Sequence, residues 1–517
     1  MEVDEDSLHD RLVRSQGENE EEEESTGEET RASSILDAHL DMHLVDTLPL
    51  YESEESNLCQ LISLSLPVVL SNVLSFVMSL MSLAFIGRMI PGESSLAASI
   101  LATTLFNATG LSLLSGCLSA LETLSGNAYG MKRYETVGHV LLKSLALDAV
   151  LCWSIIMFWM YSVESLLGAY VGEEMYVSMA CRYLRMISPA LPMYAIFESL
   201  RRYLGCQKIV RPVTWSNIIG FVSCPMYNVV LIGKYGLDGA ALAQVFIVLT
   251  QTVALVTMTG IIDMNKSPNM PKTWTGISWE ALTHVEGYYE FLHLAIPGLF
   301  MTLSEWWAFE VLVVLAGMLP TGDPNVFVSA MGVIVQISGL VWTIVSGVCF
   351  AGSILISTSL GHGKPEHALA HSRELFKVTS LIEMCMAFFL VMVRNHIGRL
   401  FSSSESVATC VATAIPIFAL TLIPDGINIP IQNILKACGK QKLGALLNVL
   451  YWAVIPLGVI LGKEFLLNGL WFSILTVNIV LCMALSLSYS LVINFEQESD
   501  NAAMRVEAIE TNTLHST

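Results

Sequence analysis

The chain has 517 residues, of which 53% are hydrophobic and only 14% are charged; its formal net charge is −20 and its mean hydropathy is +0.59. Soluble globular domains carry about 25% charged residues. The composition therefore excludes a nucleic-acid-binding protein, which needs a basic surface. It also argues against a soluble enzyme and predicts a multi-pass membrane protein.

The negative charge is confined to the two ends of the chain. Residues 1–56 hold 19 of the 46 acidic residues and three of the 26 basic ones, and residues 495–517 hold five acids and one base. Residues 57–494 carry 22 of each and are neutral. The acidic run at 18–29 is typical of disordered, solvated chain. We therefore expect a disordered cytosolic N-tail at 1–56 and a cytosolic C-tail at 495–517.

Between the tails, apolar stretches long enough to cross a bilayer, which takes about 20 residues, recur twelve times. The predicted spans cover 60–87, 96–121, 138–161, 180–200, 212–232, 240–262, 291–317, 326–351, 373–393, 407–432, 444–463 and 469–493. The longest internal connection, 263–290, is polar and follows the sixth span. It divides the membrane part into an N-lobe (57–262) and a C-lobe (291–494), joined by this cytosolic linker.

The distribution of Lys and Arg over the loops predicts the orientation of the chain. Fourteen of these residues lie in loops on the side of the N-terminus and five lie in loops on the opposite side. Loops rich in Lys and Arg stay in the cytosol, so both termini are expected to be cytosolic. The host is expected to be the plasma membrane or a vacuolar or lysosomal membrane, and the chain is expected to be a monomer.

The two halves resemble each other in sequence. Matched residues recur at a nearly constant spacing of 230 to 233 positions: Leu64 with Leu294, Pro67 with Pro297, Gly87 with Gly317, Gly130 with Gly363, and Gly236-Leu237 with Gly469-Leu470. Because each repeat holds six spans, both halves enter the membrane from the same side, as parallel repeats related by an axis along the membrane normal. Transporters use this arrangement to build a cavity between two lobes.

Acidic residues inside apolar spans are functional candidates, because an ionisable group at the bilayer centre costs about 2.5–3.5 kcal/mol. Span seven carries Glu305 and Glu310, which are about 140° apart around an ideal helix and do not share one face. Span ten carries Asp425. A carboxylate in such surroundings can take up a proton on one side and release it on the other. Glu305, Glu310 and Asp425 are therefore the candidate proton-coupling residues.

Span one has no acid between residues 61 and 87, so coupling is expected in the C-lobe. Polar or aromatic residues of the spans supply the candidate substrate-binding set, which is Asn72, Trp306, Gln336 and Asn428. The expected partners are a small-molecule substrate and the lipid bilayer. We expect no metal and no organic cofactor, with protons as the coupling ion and sodium as the less favoured one.

Three segments give the chain a family resemblance over residues 57–494. They are Leu121-Glu-Thr-Leu-Ser-Gly-Asn-Ala-Tyr-Gly130, Glu305-Trp-Trp-Ala-Phe-Glu310 and Cys438-Gly-Lys-Gln-Lys-Leu-Gly-Ala-Leu-Leu-Asn448. With these segments the chain resembles the multidrug and toxic compound extrusion (MATE) transporters, particularly the eukaryotic branch. The resemblance implies an all-α membrane protein with twelve transmembrane helices in two parallel six-helix lobes.

The same resemblance implies a proton-driven antiporter that exports small organic compounds, and the expected substrates are organic cations, xenobiotics or secondary metabolites. Glu305 and Asp425 match the family's proton site, and Glu310 matches a second family acid. Bacterial relatives often carry an Asp in span one, which is absent here and makes sodium coupling less favoured. The sequence departs from the family in the stretch 428–437, where Pro430 is unusual.

Alternatives stay open at this point. An exporter of organic anions such as citrate would share the fold, as would a flippase for lipid-linked oligosaccharides, although a flippase would need a cavity lined by Arg. A major-facilitator carrier would carry a different motif after span two, where this chain has Gly130-Met-Lys-Arg-Tyr134. A membrane-embedded enzyme or a receptor finds no support, since no Ser/His/Asp set or histidine box is present.

Overall fold

A computed structural model describes most of the membrane part of the chain. The described residues are 56–90, 93–165, 174–265, 272–274, 276–277, 282–283, 285–401 and 404–514. The predicted N-tail (1–56) lies almost entirely outside this set, as does much of the predicted linker (263–290). Within the described residues the regular structure is helical, and the prediction of an all-α membrane protein is confirmed.

The first half of the described chain consists of helices joined by short connections. They are α1 (Asn57–Met89), α2 (Glu93–Phe106), α3 (Ser112–Gly130), α4 (Tyr134–Tyr161), α5 (Glu174–Ile187), α6 (Ala190–Cys206) and α7 (Arg211–Asn265). A single π-helical turn, Asn107–Leu111, joins α2 to α3. We call the side of the bundle where α1 begins the Asn57 end and the opposite side the Met89 end.

The second half of the described chain is helical in the same way. Its helices are α8 (Val285–Gly317), α9 (Pro324–Gly361), α10 (Pro365–Phe401), α11 (Glu405–Ala437), α12 (Gln441–Asn448), α13 (Val454–Phe465), α14 (Leu467–Val492) and α15 (Phe495–Leu514). A 3₁₀ turn, Val449–Ala453, joins α12 to α13. The predicted C-tail is therefore mostly helical, since α15 covers it as far as Leu514.

Among the described residues, ten helical stretches are long and apolar enough to cross a membrane. One of them, Arg211–Met264, contains both the fifth and the sixth predicted span, because the chain reverses at Gly236 within α7. The fourth predicted span (180–200) falls on α5 and α6, which are separated at Ser188 and Pro189. Each of these two helices alone is too short to be included among the ten. With these two cases explained, each of the twelve predicted spans overlaps a helix.

The backbone repeats itself between the halves at a spacing of 230 or 231 residues. Gly236 (φ 58, ψ −130) and Leu466 (φ 53, ψ −132) make the same chain reversal between paired helices. Three residues later, a Cβ on Gly239 would lie 2.0 Å from the Leu231 carbonyl oxygen, and one on Gly469 would lie 2.1 Å from that of Leu461. The turn requires a glycine there because the two backbones nearly touch.

This register corrects two pairings made from sequence. Gly469 corresponds to Gly239 rather than to Gly236, and Gly363 corresponds to Lys132 rather than to Gly130. Lys132 (φ 61) and Gly363 (φ 69) are the left-handed residues that end α3 and α9. The pairing from sequence was wrong by up to three residues because it matched glycines by residue type. It could not take into account their backbone conformations.

Hydrophobic clusters show where the two halves meet. One cluster, around Trp159 and Leu191, lies wholly in the first half, and another, around Phe418 and Trp471, lies wholly in the second. Two further clusters contain residues of both halves and of α15, near the Asn57 end. The halves are thus joined by apolar packing mainly at the Asn57 end.

Glycines allow the backbones of α3 and α9 to touch at that end. A Cβ on Gly130 would lie 2.3 Å from the carbonyl oxygen of Thr358, and one on Gly361 would lie 2.2 Å from that of Asn127. Real Cβ atoms do not approach a carbonyl oxygen so closely, so glycine is required on both helices for this contact. The structure is consequently closed between the halves at the Asn57 end.

Candidate functional site

Helix α11 carries Asp425 at an interruption of its hydrogen bonding. The helix contains three prolines, and Pro430 has no N–H to donate to the carbonyl of Gly426 four residues earlier. Two hydroxyls of α10 donate to this carbonyl instead: Thr379 Oγ1 at 3.2 Å and Ser380 Oγ at 3.0 Å. The unusual Pro430 therefore does not leave a broken helix, because α10 satisfies the carbonyl that the proline frees.

Asp425 is held from the opposite side by α14. Asn478 donates from Nδ2 to Asp425 Oδ1 at 2.8 Å. Asn428, fully buried one turn along α11, donates from Nδ2 to the backbone carbonyl of Asn478 at 3.1 Å. The two asparagines fix the carboxylate relative to α14, and a hydrogen bond to a charged group is worth about 1.5–3 kcal/mol.

Glu305, on α8, faces the same region of the second half. It is partly buried and close enough to Asp425 for the two carboxyls to repel each other when both are ionised. Lys436, near the end of α11, is the cation whose charge reaches Glu305. The phenol of Tyr451 is buried and lies within electrostatic range of both carboxyls. The structure thus brings together Glu305 and Asp425, which are 120 residues apart in sequence.

A polar scaffold holds this part of α8. Asn448 donates from Nδ2 to the Met301 carbonyl at 3.0 Å and to Gln432 Oε1 at 2.9 Å. One turn further on, Trp452 Nε1 donates to Ser304 Oγ at 3.3 Å. These bonds fix α8 to the 3₁₀ segment and to α11 directly beside Glu305. The carboxyl therefore sits on a positioned part of the helix.

Glu383, on α10, is a third acid of this region. It is 1% exposed, and its Oε2 atom is buried without a hydrogen-bond partner among the residues that the structure describes. Its Cβ lies 3.4 Å from the position of a Cβ on Gly426, the residue after Asp425, and its charge acts on Asp425. We call Glu305, Glu383 and Asp425 the carboxylate cluster.

Glu310 does not join this cluster. It lies five residues beyond Glu305 on α8 and is exposed. The predicted angular separation of these two acids accounts for the difference, because they point to different sides of the helix. Glu310 is thus placed toward the Met89 end, accessible from outside the protein.

The candidate substrate-binding residues lie in different places. Asn428 belongs to the surroundings of Asp425, as described. Trp306 packs edge-to-face on Trp342 of α9, with ring centroids 5.7 Å apart, and Gln336 is exposed on α9. Trp307, which was not a candidate, donates from Nε1 to the Ala108 carbonyl at 3.0 Å, a bond between the halves.

Asn72 belongs to a separate polar group of the first half. Its Oδ1 accepts from Arg201 Nη2 at 2.7 Å, and its Nδ2 donates to the Thr343 carbonyl of α9 at 3.3 Å. Glu198 is 3.1 Å from Arg201 and 2.5 Å from Arg202. A cation of α6 therefore reaches span one, which itself has none there, and Glu198 offsets its charge.

The loops at the Asn57 end carry positive charge. Burial is the main cause that lowers the pKa of His362 to about 4, and the charges of Lys208, Lys364 and Lys132 act in the same direction. Burial also lowers the pKa of Lys208 to about 8. These basic groups lie beside the closed contact between α3 and α9.

Several residues of the site were not found from sequence. Glu383 is an acid inside a predicted span (373–393), which was the signal that could have identified it. Asn448, Tyr451 and Asn478 carried no comparable signal, because uncharged polar residues are common in helices that pack on other helices. Their roles depend on which side chains the fold places opposite them.

Comparisons with known proteins give a consistent result. The family model described as MatE matches residues 67–231 and again 297–460, and the two matches begin at the paired prolines Pro67 and Pro297. The chain is 30% identical to Protein DETOXIFICATION 16 of Arabidopsis thaliana over 451 residues, covering 86% of this chain and 90% of the relative. It is 28% identical to Multidrug and toxin extrusion protein 1 of Xenopus tropicalis over 455 residues, covering 86% and 76%.

A solved structure shares the fold. The crystal structure of the eukaryotic MATE transporter AtDTX14 superimposes with a TM-score of 0.78 at 27% sequence identity. The superposition covers 87% of this chain and 99% of that one. The similarity therefore extends over nearly all of the membrane part of the chain.

Proposed function

We propose that this chain, which belongs to the MATE family of small-molecule efflux transporters, drives the export of organic cations by the inward movement of protons. The observation that carries this proposal is the pairing of Glu305 with Asp425 in the second half. Two carboxyls within repulsive range inside a membrane protein favour a shared proton over two charges. Such a pair binds a proton readily and holds a cation when the proton leaves.

The proposed cycle is alternating access between the two halves. Protonation of Glu305 and Asp425 from the outer side neutralises the site and releases the bound substrate. Rebinding of substrate from the cytosol then favours loss of the proton to the cytosol. The contact of α3 with α9 at the Asn57 end has to separate in the inward-open state. We place this end in the cytosol, with both termini, on the basis of the Lys and Arg in its loops.

The energetics allow this coupling. One proton that moves through 100 mV yields about 2.3 kcal/mol. A tenfold gradient of a neutral substrate costs about 1.4 kcal/mol. One proton per neutral substrate therefore drives at least a tenfold accumulation. When a monovalent cation is exchanged one for one with a proton, no net charge crosses the membrane, so the pH difference drives transport and one pH unit supports a tenfold gradient.

The cluster's chemistry favours a cationic substrate. Its three acids are accompanied by amides and a phenol, and the nearby cation, Lys436, lies at the end of α11. The alternative substrates, organic anions and lipid-linked oligosaccharides, need exposed positive charge in the cavity. Arg201 is the cation that reaches span one, and Glu198 offsets its charge. We therefore place these alternative substrates second. We also propose that sodium is the less favoured coupling ion and that the transporter works as a monomer.

Transport in proteoliposomes tests the proposal. A labelled organic cation is offered to vesicles with an imposed pH gradient, with a sodium gradient and with neither, for wild type and for Glu305→Gln. We expect accumulation with the pH gradient alone, and its loss in Glu305→Gln. Accumulation with the sodium gradient alone contradicts proton coupling, and unimpaired proton-driven transport by Glu305→Gln contradicts the assigned site.

A matched control is available on α10. Glu374 is paired with Lys377 at 2.7 Å near the Asn57 end, away from the carboxylate cluster. Glu374→Gln removes an acid from the same membrane half without touching the proposed site. This variant is expected to transport as wild type does. The comparison shows whether transport is lost because Glu305 is replaced or because any acid of this half is removed.

A further inference from the structure

Glu383 is enclosed by the protein at the middle of α10, a 37-residue helix. It is 1% exposed, and no described residue forms a hydrogen bond with its Oε2. Among the described residues no cation is paired with Glu383, and its burial excludes solvent, so its surroundings favour the neutral, protonated carboxyl. The site therefore requires Glu383 to hold a proton unless its surroundings change.

The surroundings of Glu383 are tied to Asp425. The side chain packs on Gly426, next to Asp425, and the two acids repel each other when both are charged. One turn before Glu383, Thr379 and Ser380 hold the Gly426 carbonyl that Pro430 leaves free. A movement at this interruption of α11 is consequently transmitted to the α10 segment that carries Glu383.

The charged groups that face Glu383 are few. From α11 they are Asp425 and, about three turns further along the helix, Lys436, whose charge acts on the Cys349 thiol of α9 as that of Glu383 does. Helix α9 has no Asp, Glu, Lys, Arg or His over Pro324–Gly361. The other helices that pack on α10 are α1 and α15. They bring charged side chains only near the ends of α10. On α10 itself the Cys385 thiol is two residues away, and the charged and histidine side chains lie toward the ends: Glu366, His367, His371, Arg373, Glu374, Lys377, Arg394, His396 and Arg399. Asp425 is therefore the charge to which the proton on Glu383 responds.

We propose that Glu383 is a further proton-binding residue, which shares at most one negative charge with Asp425 and so sets the pH at which Asp425 exchanges its proton. This inference rests on the proposed function and adds a third acid to its site. Ionisation of one carboxyl retains the proton on the other, and the proton that leaves passes to water. The pair then titrates in two macroscopic steps rather than in one.

Infrared spectroscopy of the purified full chain tests this directly. The carbonyl band of protonated carboxyls is followed during a pH titration of wild type, Glu383→Gln and Glu374→Gln. We expect Glu383→Gln to lose one titrating carboxyl of the cluster, whereas Glu374→Gln, which changes an acid outside the cluster, keeps the band of Glu383. Equal titrating amplitudes in wild type and Glu383→Gln would mean that Glu383 is structural and would overturn the proposal.

Two further readouts keep the test decisive. Transport that depends on the second, higher-pH step of the pair is expected to move by at least about one unit to lower pH in Glu383→Gln, because the proton of Asp425 then no longer leaves against a neighbouring negative charge. Glu383→Asp is expected to restore the wild-type profile. If Glu383→Gln does not fold, Asp425→Asn serves instead: it must move the titration of the Glu383 band, and an unmoved band overturns the proposal. If transport by wild type does not depend on the pH gradient, the proposed function is rejected. The infrared titration then still decides whether Glu383 binds a proton.

Discussion

Asn478 donates a hydrogen bond of 2.8 Å to Asp425 and so ties α14 to the interrupted helix α11. The bond crosses between two helices that are separated by 53 residues in sequence. It orients the carboxylate that the proposed mechanism protonates. The amide also stabilises the ionised form of the acid, because it can donate to a carboxylate oxygen but cannot take up its charge.

Replacing this donor is expected to alter the pH dependence of transport. Asn478→Ala removes a bond to a charged acceptor worth about 1.5–3 kcal/mol, which corresponds to about one to two pH units. We expect the pH profile of proton-driven uptake to move to higher pH by that amount. The control is Asn433→Ala, since Asn433 donates to Ile429 of its own helix. If the pH profile of Asn478→Ala coincides with that of the control, Asn478 does not affect proton binding by Asp425.

The glycine contact at the Asn57 end leads to a conformational prediction. Gly361→Ala places a Cβ 2.2 Å from the Asn127 carbonyl oxygen, so α3 and α9 have to separate. Overpacking of this kind costs about 1–3 kcal/mol, which raises the open fraction at this end by a factor of roughly 5 to 150. Hydrogen–deuterium exchange of residues 127–133 and 358–364 is expected to become faster. Gly332→Ala, on the same helix but with no atom within 4 Å of its Cβ, is expected to leave the exchange unchanged.

The sequence predicted more of the fold than of the site. Runs of about 20 apolar residues identify membrane helices because the bilayer imposes that length. An acid within such a run, such as Glu305 or Asp425, is recognisable because it is costly there. The interruption of span four at Ser188 and Pro189 left both helix pieces shorter than the predicted span. The run of hydropathy alone does not show where a helix breaks.

The remaining part of the site depends on tertiary contacts. Thr379 and Ser380 cap the Gly426 carbonyl only because α10 lies against α11 at the residue that Pro430 affects. The sequence marked Pro430 as unusual for the family but did not indicate which residues compensate for it. Hydrogen bonds between helices connect residues about 50 positions apart, and a single sequence contains no signal for such pairs.

The C-terminal helix α15 is expected to be held in place by one buried acid. Glu498 is 1% exposed and lies 2.8 Å from Lys440 and 3.4 Å from Arg505. Glu498→Gln removes the charge that both cations contact; because Lys440 and Arg505 retain some solvent access, the loss is about 1–3 kcal/mol. We expect a lower midpoint of thermal unfolding in detergent. The exposed Asp500→Asn serves as the control on the same helix, and equal midpoints for the two variants would contradict this role.

His362 is expected to make the protein less stable in acid. Its pKa is about 4 in the folded protein, chiefly because of burial, against about 6.5 in an unfolded chain. As the pH falls below 6.5 the unfolded state binds this proton first, so stability decreases until the pH reaches the folded pKa near 4. Since the ring is only partly buried, we expect the contribution at pH 5 to be about 1 kcal/mol.

Thermal unfolding of wild type and His362→Gln at pH 7 and pH 5 measures the contribution of His362 to the loss of stability in acid. The glutamine cannot bind the proton, so the variant is expected to lose less stability than wild type between these two pH values. His396→Gln is the control, because His396 is exposed on α10. An equal loss of stability in wild type and in His362→Gln would show that the proton bound on unfolding belongs to other groups.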